Sequence, residues 1–184
     1  MSFNVGEFRS QLQGDGARPN LFEVSLVLPA ILGYAAANQK LAFTCKSASL
    51  PGSTVGTVLL QYFGREVKLA GNRTFAPWTV TVLNDEDWLV RTGFEKWLNA
   101  LNSHAGNQRL SGAGNSIGYT VDASVNQYAK TGSSPVATYK FVGLFPTDLS
   151  QIDLDWGAND TIEEFTVTFD YQYWTRTDHG AGIV

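Results

Sequence analysis

The chain has 184 residues, enough for one domain that buries about 70% of the surface its unfolded form exposes. Thirteen basic against seventeen acidic residues leave a formal charge of -4, which argues against a nucleic-acid reader that gains affinity by neutralising phosphates. With 43% hydrophobic and 12% aromatic residues a core forms without staples; the single Cys45 excludes an internal disulfide and reads as a small apolar side chain.

The N-terminal segment, about 1–19, carries Glu7, Arg9, Asp15 and Arg18 without an apolar block, so it reads as extended and as neither a secretory signal nor a transit peptide. Phe22, Val24, Leu26 and Leu28 alternate with polar neighbours and predict a first strand ended by Pro29. The longest apolar stretch, Leu26 to Ala37, is broken by Pro29 and Gly33 and is far short of the roughly 20 residues of a membrane helix, so no membrane insertion is expected. The triplets Asn72-Arg73-Thr74 and Asn159-Asp160-Thr161 therefore read as chance rather than as glycosylation sites. Leu41, Phe43 and Cys45 predict a second strand, and Thr54 to Ala70 a long hairpin turning at Gly64. Trp78, Val80 and Val82 then oppose Thr79 and Thr81 in another strand.

Asn84-Asp85-Glu86-Asp87 supplies an N-cap candidate and acid for a first turn, so a helix is expected over about 85–101. Val90, Phe94, Trp97, Leu98 and Leu101 repeat at helical spacing, which leaves Arg91, Glu95, Lys96 and Asn99 outside. A Gly-rich loop from Ser111 to Gly118 precedes strands over Tyr119 to Tyr128 and Val136 to Phe145, separated by the turn residues Thr131 to Pro135. The closing run, Ile162 to Tyr173, places Phe165, Val167, Phe169, Tyr171 and Tyr173 on one face and Glu164, Thr166, Thr168, Asp170 and Gln172 on the other. Its ordinary reading is a strand with one solvated face, and the same pattern suits the lining of a water-filled passage. The whole is one α+β domain, 1–184, mostly antiparallel, a sandwich or small barrel with one packed helix; its sheet edges invite pairing with other copies.

Chemistry is sparse. His104 and His179 are remote from each other and from Cys45, so no metal site, cofactor site or nucleophilic dyad is expected. Asp85, Glu86 and Asp87 read as a helix start rather than as acid-base carboxylates, and Glu163 and Glu164 point to opposite faces of a strand. Gly112-Ala113-Gly114 lacks the spacing and the Lys of a phosphate loop. The aromatics fall mainly on apolar faces, although a carbohydrate-binding sandwich module would use some of them in a groove.

Longer stretches are more specific. Phe8-Arg9-Ser10 to Asp15-Gly16-Ala17-Arg18-Pro19-Asn20-Leu21-Phe22, then Ala48-Ser49-Leu50-Pro51-Gly52, then Tyr62-Phe63-Gly64-Arg65 through Ala70-Gly71-Asn72-Arg73-Thr74-Phe75, then Trp78 to Asp85, occur in that order. With Phe145-Pro146-Thr147-Asp148-Leu149-Ser150 and the aromatic closing strand, nearly the whole chain resembles the tail tube protein family of contractile-tailed bacteriophages. The inner tubes of tailocins and type VI secretion systems and the tube-initiating baseplate proteins share that resemblance.

The resemblance implies a non-enzymatic subunit of the virion tail, assembled in the host cytoplasm, whose hexameric rings join their strands into one barrel and stack into a conduit for DNA. It implies that Glu164, Thr166, Thr168, Asp170 and Gln172, with Thr79 and Thr81, line the lumen. A weakly acidic lining repels phosphates, so DNA passes without specific binding. It also implies that Val55, Val58, Leu59, Tyr62 and Phe63, rimmed by Arg65, Glu66 and Lys68, join neighbouring subunits or rings, with filling of the subunit's own core as the alternative. Arg91, Glu95, Lys96 and Asn99 would face the tail sheath or simply solvent; baseplate, tape measure and tail terminator proteins are the other implied partners.

Overall fold

Alternation with a period of two decides most of the architecture. In the computed structural model, which describes residues 4–12, 14, 16–132, 134–178 and 182–183, nearly every apolar-alternating run is a strand, and all strand pairs are antiparallel. Asp15, Ser133 and His179 lie outside the described residues. The strands are β1 (Phe22–Leu26), β2 (Cys45–Ala48), β3 (Ser53–Tyr62), β4 (Arg65–Phe75), β5 (Trp78–Leu83), β6 (Val121–Tyr128), β7 (Pro135–Leu149), β8 (Glu164–Asp170), β9 (Tyr173–Asp178) and β10 (Gly182–Ile183). The helices are α1 (Val5–Gln11), α2 (Ala36–Thr44), α3 (Leu89–Leu101) and the short α4 (Ser116–Tyr119). The fold is thus a mostly antiparallel α+β arrangement.

One sheet runs in the order β1-β6-β7-β8-β5-β2, with β9 bridging β7 and β10. β7 is the hinge of this sheet. Its first part pairs with β6 and β9 and its last part, from Phe145, with β8, and between them Gly143 takes φ 68 where the ladder is irregular. The sheet therefore closes over a single core in which Trp78 of β5 stacks on Phe141 of β7 at 4.3 Å. Phe94 and Trp97 of α3 cover Phe165 and Phe169 of β8 from the helical side. The buried indole N–H groups are satisfied: Trp78 Nε1 donates to the Ser49 carbonyl at 2.8 Å and Trp97 Nε1 to the Tyr119 carbonyl at 2.9 Å.

Five local expectations are corrected. First, the N-terminal segment is not simply extended, because Asn4 caps α1 by accepting from the Gly6 N–H at 3.0 Å. Second, Leu41 and Phe43 belong to helix α2, not to a strand: Ala37 and Leu41, one turn apart, are buried while Phe43 points to solvent. The Ala-, Gln-, Lys- and Leu-containing run supports a helix on propensity as well. Third, α2 packs on α3 and on β1, so the core carries two packed helices rather than one.

Fourth, α3 begins at Leu89, not near Asp85. Trp88 sits at φ 53, outside the right-handed helical region, so the acidic run lies ahead of the helix: Asp87 Oδ1 accepts from the Leu89 N–H at 3.0 Å, while Asp85 and the other oxygen of Asp87 pair with Lys40 Nζ of α2. Fifth, the closing run is two strands. After Asp170 the chain steps off β8, the Gln172 N–H donates to the Val142 carbonyl at 3.0 Å, and β9 starts at Tyr173. The hairpin arms, conversely, extend beyond 54–70 to cover 53–75.

Candidate functional site: a polar sheet face and a projecting hairpin

Phe165, Val167 and Phe169 are buried along β8, so Glu164, Thr166, Thr168 and Asp170 share the opposite face. Register brings β5 into the same surface, Thr79 beside Thr168 and Thr81 beside Thr166. Thr79, Glu164 and Asp170 are exposed, and Thr81, Thr166 and Thr168 half-buried. The edges of this face add what the strand pattern alone omits. Lys46 of β2 sets its Nζ 2.5 Å from Glu164 Oε2, and Asp148 of β7 pairs opposite Thr168. The face therefore stays weakly acidic, but Glu164 has a neutralising partner. Gln172 does not belong to it; it sits in the step between β8 and β9. Glu163 is turned elsewhere, accepting from Asn84 Nδ2 at 3.0 Å.

The β1-β6-β7-β9 half carries a second polar face that sequence reasoning did not single out. Glu23, Asn126, Thr138 and Thr177 stand in register across four strands, next to a row of Ser25, Ser124, Lys140 and Thr175. Thr138 Oγ1 donates to Asn126 Oδ1 at 2.9 Å, and Tyr128 donates its hydroxyl proton to Glu23 at 2.5 Å, which raises the Tyr128 pKa. Lys140 Nζ lies 2.9 Å from Asp122 and holds that carboxyl below the usual range. The alternation of Asp122, Ser124 and Asn126 within β6 was the available signal.

β3 and β4 form a separate two-stranded sheet that projects from the body. Every residue of β3 is exposed, including Val55, Val58 and Leu59, and none of the hairpin's apolar residues enters the core. Near the root, a side chain on Gly71 would meet the Gly56 carbonyl at 3.0 Å, so the arms approach closely where the register shifts. At the tip, Phe63 and Gly64 take φ 45 and φ 79, a two-residue turn with both φ positive. Phe63 is 91% exposed and meets Tyr62 edge to face at 4.7 Å. A bulky aromatic in the left-handed region with its ring in solvent has no structural reason inside this chain. Arg65, Glu66 and Lys68 are exposed beside it.

On α3, Glu95, Lys96 and Asn99 are exposed. Arg91 is half-buried: its Nε donates to Glu95 at 3.0 Å, its Nη1 to the Ser150 carbonyl at 3.2 Å, and the guanidinium lies 5.2 Å from the Phe165 ring centre. It ties helix to sheet. Lys96 Nζ rests 4.0 Å over the Tyr34 ring, and Asn99 accepts from the His104 N–H at 3.3 Å. Cys45 is half-buried, and burial pushes its thiol up to about 11, so it is a thiol at neutral pH. Among the described residues no cluster of His, Cys, Asp and Glu is placed to hold a metal, and no helix is long and apolar enough to cross a membrane.

The family model for the phage tail tube protein matches residues 17–177. Tail tube protein gp19 of Enterobacteria phage T4 is 37% identical over 161 residues, 88% of this chain and 92% of that protein. In fold, the chain is similar to the tube-terminating cap of the anti-feeding prophage, with TM-score 0.62, 16% identity and coverage of 88% of this chain and 91% of that one. It is also similar to a chain of the sheath-tube complex of the extracellular contractile injection system PVC, with TM-score 0.54, 16% identity and coverage of 96% and 99%. The chain belongs to the phage tail tube protein family, and its role is that of a structural tube subunit of a contractile tail rather than an enzyme.

Proposed function

We propose that copies of this chain close into hexameric rings, joined strand to strand into one barrel, and that the rings stack into a hollow conduit for DNA in the virion tail. The observation that carries the reading is the hairpin: beyond its root, where Phe75 meets Tyr171, the two-stranded arm exposes Val55, Val58, Leu59, Tyr62 and Phe63 and needs another molecule to cover them. The β5-β8 face, with Thr79, Thr81, Glu164, Thr166, Thr168 and Asp170, is the candidate lumen lining. Its hydroxyls keep the wall wet, and its remaining carboxylates repel phosphate, so DNA slides without adhering. Glu95, Lys96 and Asn99 of α3 form the candidate outer surface for the sheath, with Arg91 as their anchor. Baseplate, terminator and tape measure proteins are the expected partners at the ends and inside the tube, and assembly takes place in the host cytoplasm.

Negative-stain electron microscopy of the purified, untagged protein over a concentration series tests this reading. Hollow rings or tubes are expected. A monomer that persists at high concentration, even with a baseplate supplied as nucleus, would overturn it. Identity of 37% to a phage tail tube protein places the tail tube ahead of a tailocin tube or tube initiator.

A further inference from the structure

We infer that the hairpin's docking surface is the acidic loop between β7 and β8 of a second copy of this chain. The inference rests on the hairpin's joining copies, as proposed above. Residues 150–163 form a connection without helix or strand, a length that in a domain of this size usually signals function. The loop is organised internally. Ile152 packs against the core, and Asp155 accepts from the Gly157 N–H at 2.8 Å while its carbonyl accepts from the Ala158 N–H at 3.1 Å. That turn holds Trp156 outward, 102% exposed, with Leu154 and Ile162 also exposed nearby in the sequence.

Charge identifies the occupant. Residues 150–163 carry four carboxylates, Asp153, Asp155, Asp160 and Glu163, and no Lys or Arg. The hairpin, in a protein of net charge -4, carries Arg65, Lys68 and Arg73 against the single acid Glu66. An apolar basic arm and an apolar acidic loop, each exposed in the isolated chain, are complementary in both respects. Aromatic residues on both sides, Tyr62 and Phe63 against Trp156, supply the anchors that concentrate binding energy in such contacts.

A charge-exchange experiment on the full-length chain tests this, with assembly followed by pelleting and electron microscopy and folding checked by circular dichroism. The hairpin variant is Arg65→Gln with Lys68→Glu. The loop variant is Asp153→Lys with Asp155→Asn, the Asn keeping the acceptor of the Gly157 N–H. Each variant alone is expected to raise the assembly concentration at least tenfold, the two together to return it to within about threefold of the parent, and Trp156→Ser to impair assembly at any salt concentration. Parent assembly should weaken between 50 and 500 mM salt. A loop variant that assembles like the parent while the hairpin variant fails would overturn the loop as the dock yet leave the hairpin contact standing. A hairpin variant that assembles normally would overturn both. Failure of the combined variant to recover would overturn the charge pairing.

Discussion

Phe63→Asn separates the hairpin's own stability from its use. In the isolated chain Phe63 occupies φ 45 in a turn whose second residue, Gly64, is at φ 79. Asn visits the left-handed region more readily than Phe, so the turn itself should gain roughly 0.5–1 kcal/mol. Because the hairpin lies outside the core, the thermal midpoint of the dispersed protein should stay put or rise slightly. Assembly responds in the opposite direction. Full burial of a Phe side chain contributes about 1.5–3 kcal/mol, and with 91% of the residue exposed beforehand nearly all of this is available at a contact. The turn strain is present in both free and assembled subunits and cancels. Each added subunit contributes one hairpin, so a loss of about 1.5–2.5 kcal/mol per contact should raise the concentration needed for tubes by about 10- to 70-fold. Light scattering against concentration, with hydrogen exchange across residues 53–75, reads this directly. Tubes forming at the parental concentration would refute burial of the tip between subunits.

Phe169 is fully buried among Trp78, Phe94 and Trp97, so Phe169→Ala should cost about 3–5 kcal/mol in urea unfolding, and a loss below about 1 kcal/mol would contradict the closed core described above. Glu164→Lys with Asp170→Lys should leave rings assembling while particles eject DNA poorly; normal ejection would remove the β5-β8 face as the lumen. Lys40 holds Asp85 and Asp87 below the usual carboxylate range, first by hydrogen bonding, and is itself raised above 10.5 by them. Depressed carboxyl pKa values contribute stability that is present above about pH 4 and lost as pH falls through the folded-state values. The raised amine contributes below its ordinary value and loses this as pH rises through the folded one. The unfolding midpoint of Lys40→Met should therefore trail the parent at neutral pH and converge with it in acid. A gap that persists unchanged at pH 2 would assign the effect to packing.

The strands β5 and β8 were legible because a two-residue period with bulky apolar side chains on one side leaves a sheet no choice of face: a one-residue slip would put Phe165, Val167 and Phe169 in water. The stripe of α3 and the turn at Gly64 were legible for the same kind of reason, since helical spacing and a residue that favours positive φ act locally. The run at Leu41, Phe43 and Cys45 was not, because alternation over three apolar residues fits a strand while Ala37 and Leu41 fit a helix, and docking against β1 and α3 decided between them. The candidate lumen face was legible as a strand pattern, but its boundary at Asp170 and its neutralising Lys46 were not.

Sequence by itself thus determines which face of each strand and helix is apolar, where the hairpin turns, and that the hairpin carries more apolar surface than a lone arm tolerates, since all of these follow from neighbours a few residues apart. Tertiary structure alone decides what depends on groups far apart in the chain. Lys40 reaches Asp87 across 47 positions and ties α2 to the segment that leads into α3; Lys46 reaches Glu164 across 118 and tempers the candidate lumen. The bend at Gly143 carries β7 from β6 and β9 to β8, so that Trp78 can meet Phe141 and close the sheet over its core. Such meetings depend on how the sheet closes in space, which no local period encodes.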